Sequence, residues 1–143
     1  MTWRLLCMAW CFGLGLNAGA TEPACPTAAD ISPRMLVGAW RIDWSDGARQ
    51  RGEAPWTLVL APHPQYEGSL KGILSRGNER RLVAADWDDE TLTMEESEDG
   101  QRISATWQAT AEPGQCGRVF RGQRFTGTEA GTDARHFRMR AQP

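Results

Sequence analysis

Lysine is nearly absent from this 143-residue chain: of 16 basic side chains, Lys71 is the one lysine and the rest are arginine. Tyrosine occurs once, as Tyr66, and histidine twice, as His63 between two prolines and His136 far from it. There is no Gly-x-Ser-x-Gly, no phosphate loop and no glycine-rich dinucleotide fingerprint, which leaves the common nucleophile and nucleotide chemistries without a carrier. Zinc-type spacing of histidine and cysteine is missing too, and no Cys-x-x-Cys is present. The chain is therefore read as a non-enzyme, with no catalytic residue, metal or cofactor expected. No apolar run exceeds twelve residues, too few to span a bilayer comfortably. Neither charge sign dominates, so nucleic acid and membrane surfaces are not expected as partners.

What is present begins with an export signal. Arg4 precedes the apolar stretch Leu5 to Leu16, and Asn17-Ala18-Gly19-Ala20 ends in the small-x-small pattern of a signal-peptidase site, with the cut before Thr21. Residues 1–20 are the expected signal peptide, 21–35 an extended, proline-containing N-terminal arm, and 36–143 a single β-barrel domain. The destination is the periplasm or the exterior. Arg4 alone of the 16 basic residues leaves with the signal, so 15 then face 18 acids. Two of the four cysteines, Cys25 and Cys116, remain. An even pair bound for an oxidising space predicts one structural disulfide. Chain entropy sets its contribution at ~4–5 kcal/mol as an upper figure.

From Leu36 onward, short runs with period-2 alternation recur about every 10–15 residues, the signature of an all-β antiparallel meander of about eight strands closing into a small barrel. The first strand, about 37–45, puts Trp40, Ile42 and Trp44 on one face, and the second, 55–61, does the same with Trp56, Leu58 and Leu60. The third is expected over 66–76, with Gly68 and Gly72 marking a bulge or bend. Strand four spans 80–87, strand seven about 117–125 and strand eight 134–141. Two-residue turns at Asp88-Asp89 and Asp99-Gly100 predict specific registers: Ala85 opposite Leu92, Leu92 opposite Trp107, and Met94 opposite both Val83 and Ala105. Those pairings gather Val83, Ala85, Leu92, Met94, Ala105 and Trp107 on one face. They also turn Arg81, Glu96 and Ile103 inward near one end. There an Arg81–Glu96 pair would either grip a polar ligand or form a satisfied structural pair at the barrel mouth.

Five tryptophans lie beyond the signal: Trp40, Trp44, Trp56, Trp87 and Trp107. They either fill the core or line a cavity for a flat or aromatic ligand, since indole combines a large apolar face with one donor. Between Asp86 and Asp99 eight acids occur without a base, and Arg118, Arg121, Arg124, Arg135, Arg138 and Arg140 crowd the C-terminal end. Solvated faces and cross-strand ion pairs account for both, with a charged docking face as the other reading.

Leu36-x-Gly38-x-Trp40 resembles the opening strand of calycin-type barrels such as the lipocalins and avidins. The resemblance implies that Trp40 closes one end of the barrel, with an arginine of the last strand, Arg138 or Arg140, packed across the indole. The lipocalins' later Thr-Asp-Tyr is absent. The same opening is similar to that of small periplasmic inhibitors of bacterial metalloproteases, whose N-terminal trunk enters the protease cleft. Two functions follow as expectations. The first is a periplasmic or secreted binding protein holding a small apolar or aromatic ligand, with Trp40, Trp44, Trp56, Trp87, Trp107, Arg81 and Glu96 as candidate binding residues. The alternative is an inhibitor or accessory protein that meets a periplasmic protein through its N-terminal arm or loops.

Overall fold

A computed structural model describes residues 24–45, 52–126 and 133–143. The expected signal peptide, its cleavage site and the loops at 46–51 and 127–132 lie outside the described residues. Eight strands follow in order: β1 (Gly38–Trp44), β2 (Trp56–Pro62), β3 (Leu70–Arg76), β4 (Glu79–Asp88), β5 (Thr91–Ser97), β6 (Ile103–Ala111), β7 (Val119–Thr126) and β8 (Ala134–Ala141). Each pairs antiparallel with the next, and β8 returns to β1 through Trp44↔Phe137, Ile42↔Met139 and Trp40↔Ala141, closing the barrel. Closure leaves no free sheet edge. The alternation expected from sequence is realised. Trp40, Ile42, Leu58, Leu74, Leu92, Met94, Trp107, Phe120, Phe137 and Met139 form one buried core inside the barrel.

The floor is made by the N-terminal segment. It was expected to be extended, but Ala28–Asp30 forms a 3-10 turn and Pro33–Leu36 a short helix, α1. Pro33 suits the first helical position, where no amide is needed. Ile31 and Leu36 are buried in the core, and the Trp40 Nε1–H donates to the Leu36 carbonyl at 2.8 Å. Trp40 and Trp87 each meet the Phe120 ring edge-on, at 5.5 and 5.8 Å. The expected disulfide is present: Cys25 is bonded to Cys116, 91 residues away in the β6–β7 connection. No helix among the described residues is long and apolar enough to cross a membrane.

Several sequence expectations are corrected. The third strand starts at Leu70 rather than residue 66, because Gly68 sits at φ +85 in the turn that precedes it. The β4–β5 turn is Asp89-Glu90, both at positive φ, so Asp88 pairs with Thr91 and Ala85 with Met94. In β5–β6, Met94 pairs with Trp107 and Leu92 with Ala109. Both predicted registers are thus displaced by two residues. A two-residue slip preserves facing, so Val83, Ala85, Leu92, Met94, Ala105 and Trp107 are all buried, as expected. Ile103 is different. A bulge makes Ser104 the extra residue, Ile103 falls opposite Ser97, and its side chain is 58% exposed. Arg138 and Arg140 lie on the outer face of β8, paired with Glu112 and Asp43, so neither crosses Trp40.

Candidate functional site

The two ends of the barrel are closed by different means. At the floor the covering material is the chain itself: α1, Leu36 and the disulfide-tethered segment. At the opposite end, the mouth, the cover among the described residues is side chains. β1, β3, β5 and β7 finish here and β2, β4, β6 and β8 begin here, which sets their last inward-facing positions in one layer. Three of these positions are Trp44, Trp56 and, on β6, the small Ala105. The others are charged: Arg76 follows Leu74 in phase, Arg81 precedes Val83, Glu96 follows Met94, Arg124 follows Phe120 and Gly122, and Arg135 precedes Phe137.

These charges lie on the indoles. The Arg135 guanidinium carbon is 4.0 Å from the Trp44 ring centroid, that of Arg76 is 4.4 Å from Trp56, and that of Arg124 is 5.4 Å from Trp107. Planar guanidinium stacks well on indole and is less strongly hydrated than ammonium, so a ring of arginines roofs an aromatic layer at small desolvation cost. Beneath them Trp44 and Trp107 stack at 5.6 Å, and Phe137 meets Trp107 edge-on at 5.0 Å.

Glu96 is the pivot of this layer. Only 1% exposed, it accepts from Arg124 Nε and Nη2 at 2.9 Å each and from the Trp107 Nε1–H at 2.8 Å, with Arg81 Nε at 3.5 Å. Arg124 and Arg135 stand directly opposite each other in the β7–β8 ladder. Their like charges are separated in partnership, since Glu96 takes Arg124 while Glu53 takes Arg135 at 3.2 Å. Arg81 also reaches Glu79 and Glu98. Among the described residues, the Trp44 Nε1–H is the buried side-chain donor with no hydrogen-bond partner. Buried polar groups are almost always satisfied, so this unpaired indole N–H is an exception within the aromatic layer.

The five candidate tryptophans therefore divide. Trp44, Trp56 and Trp107 share the mouth with Arg81 and Glu96; Trp40 and Trp87 belong to the floor. Sequence reasoning placed Arg124 and Arg135 among solvated or cross-strand charges, yet the signal was available: each shares the phase of a buried phenylalanine two or four residues away. Glu112 was also missed. Just beyond β6, it is buried on the outer face, where Arg138 donates from Nε at 2.6 Å and from Nη2 at 2.7 Å, and Arg121 donates from Nε at 3.3 Å. These bonds, that of Arg138 first, hold the Glu112 carboxyl below its usual range, and reciprocally raise Arg138. His63 caps its own turn, its Nδ1 accepting from the Gln65 and Tyr66 amides at 3.2 Å. Among the described residues, no group of three or more His, Cys, Asp or Glu side chains is arranged to hold a metal ion. No protein-family model matches the chain, and no curated protein matches it.

Proposed function

We propose that this chain is a periplasmic or secreted, non-enzymatic binding protein with a calycin-like barrel, and that a small aromatic ligand engages its mouth. One observation carries this reading: the floor is sealed by covalently tethered chain, whereas among the described residues arginine side chains lie over Trp44, Trp56 and Trp107 at the mouth. The interior below is filled by side chains, so the ligand sits across the aromatic layer rather than deep in a calyx. It replaces guanidinium faces with its own ring and offers an acceptor to Trp44 Nε1. Export to an oxidising compartment is supported by the disulfide that joins Cys25 to Cys116.

Titrating indole fluorescence with haem, fatty acids and aromatic acids tests it. Saturable quenching by an aromatic compound, shifted in Arg135→Ala, is the expected result. A flat response across the panel overturns it. The accessory-protein alternative has less support in its arm-mediated form, because Ile31 and Leu36 are committed to the core and Cys25 to its bond.

A further inference from the structure

On the outer wall of the barrel, away from the mouth layer, a groove of about 890 Å³ runs over β6, β7 and β8, within the size range of small-molecule sites. Two neighbouring rungs of outward side chains line it. One is Thr91↔Thr110↔Arg121↔Arg138, and the next carries Gln108↔Gln123↔His136, with the Ser45 amide bonded to the His136 carbonyl. The two strands approach closely here because Gly122 has no side chain: a Cβ there would lie 1.9 Å from the Gln108 carbonyl oxygen.

The chemistry of the groove is lopsided. Its one acid among the described residues is Glu112, and two guanidiniums already engage it. The bidentate grip fixes Arg138, and the single bond from Nε orients Arg121. Nη1 of Arg138 and both Nη atoms of Arg121 are then left without a partner among the described residues, with Arg121 72% exposed. Pinned arginines present their free N–H groups at low entropic cost, and such forks suit carboxylate and phosphate oxygens. Around them stand neutral hydrogen-bonding groups: the hydroxyls of Thr91, Thr110 and Ser45 and the amides of Gln108 and Gln123. Gln123 Nε2 lies 3.1 Å from His136 Nε2, so this rung is held in place as well.

We infer that this outer groove is a second binding site, distinct from the mouth, for a small hydroxylated anion, meaning a sugar acid or sugar phosphate. The anionic group sits on the Arg121–Arg138 fork, and the hydroxyls lie along the threonine and glutamine rungs. The site does not depend on the mouth binding anything.

Amide-resolved NMR titration with glucuronate, glucose 6-phosphate, inorganic phosphate and uncharged methyl glucoside tests the assignment. At least one of the two sugar anions shifts the Thr110, Gln123 and His136 amides with a dissociation constant of about 1 mM or tighter. Which of them does so separates a carboxylate from a phosphate ligand. Arg121→Gln, at an exposed position that leaves the Glu112–Arg138 pair intact, weakens that binding at least tenfold, and Thr110→Val weakens it severalfold. Indole fluorescence stays unchanged throughout. The inference is overturned if neither sugar anion perturbs these amides, if Arg121→Gln binds like the parent, or if methyl glucoside or inorganic phosphate binds as tightly as the sugar anion.

Discussion

Glu96 illustrates how one side chain organises the mouth. Buried charge is tolerated only when paired and hydrogen-bonded, and here one carboxylate serves Arg124, Arg81 and the Trp107 indole. Replacing it with leucine keeps much of the volume but strands a guanidinium and an indole donor. Glu96→Leu is expected to lower unfolding free energy by about 3 kcal/mol, the low end for a broken buried pair because Arg124 is partly exposed; urea denaturation measures it. Gly122 makes the opposite point, that a missing side chain can be essential. Gly122→Ala forces a Cβ against the β6 backbone at Gln108 and Ala109, which cannot retreat as a flexible side chain would. A loss of about 1–3 kcal/mol is expected in the same assay. At this scale the sequence was legible where phase decides: Arg81 and Glu96 were expected inward and are. Ile103 was not legible, since a single inserted residue, Ser104, turns it outward.

Turns show why elements were easier to find than to align. Strand existence follows from local alternation, and all eight strands are present, although the third begins at Leu70 rather than residue 66. Register depends on which two residues occupy the turn, and in Asp88-Asp89-Glu90 three polar residues compete. The chain selects Asp89-Glu90, whose positive φ values match the right-handed twist of the flanking strands. The next connection is shaped by Asp99, which accepts the Gln101 and Arg102 amides at 2.9 and 2.8 Å and the Arg102 Nε–H at 3.1 Å. Bonds to the charged form, the Arg102 amide's first, lower its pKa from 3.8 to about 2. With the folded value depressed, the stabilising contribution is fully present above the ordinary pKa and is lost as pH falls through the folded one. NMR titration should therefore show the Gln101 and Arg102 amides moving with a midpoint near pH 2, and Asp99→Asn should abolish that transition.

The whole molecule is a barrel whose floor is covalent and whose roof is electrostatic. Cys25–Cys116 ties the floor segment to the β6–β7 connection across a separation of 91 residues. The paired Cys25→Ser, Cys116→Ser variant is expected to lose about 2–5 kcal/mol. Because Leu36 and Trp40 are held by this segment, its indole emission near Trp40 and Trp87 should shift to the red in the folded state, while the Trp44–Trp107 stack stays in place. Near-UV circular dichroism and emission spectra distinguish the two groups. By itself, the sequence determined the strand count, the inward face of the strands apart from Ile103, and the pairing of Cys25 with Cys116. These are local or parity properties, which alternation and composition carry without knowledge of neighbours. Only the tertiary structure decided that the interior is filled, that five indoles divide between floor and roof, and that Arg124 and Arg135 cover Trp107 and Trp44. Those outcomes depend on which positions of β3, β5, β7 and β8 share a layer once β8 meets β1. Volume and charge are matched around the closed ring, and no single stretch of chain contains that sum.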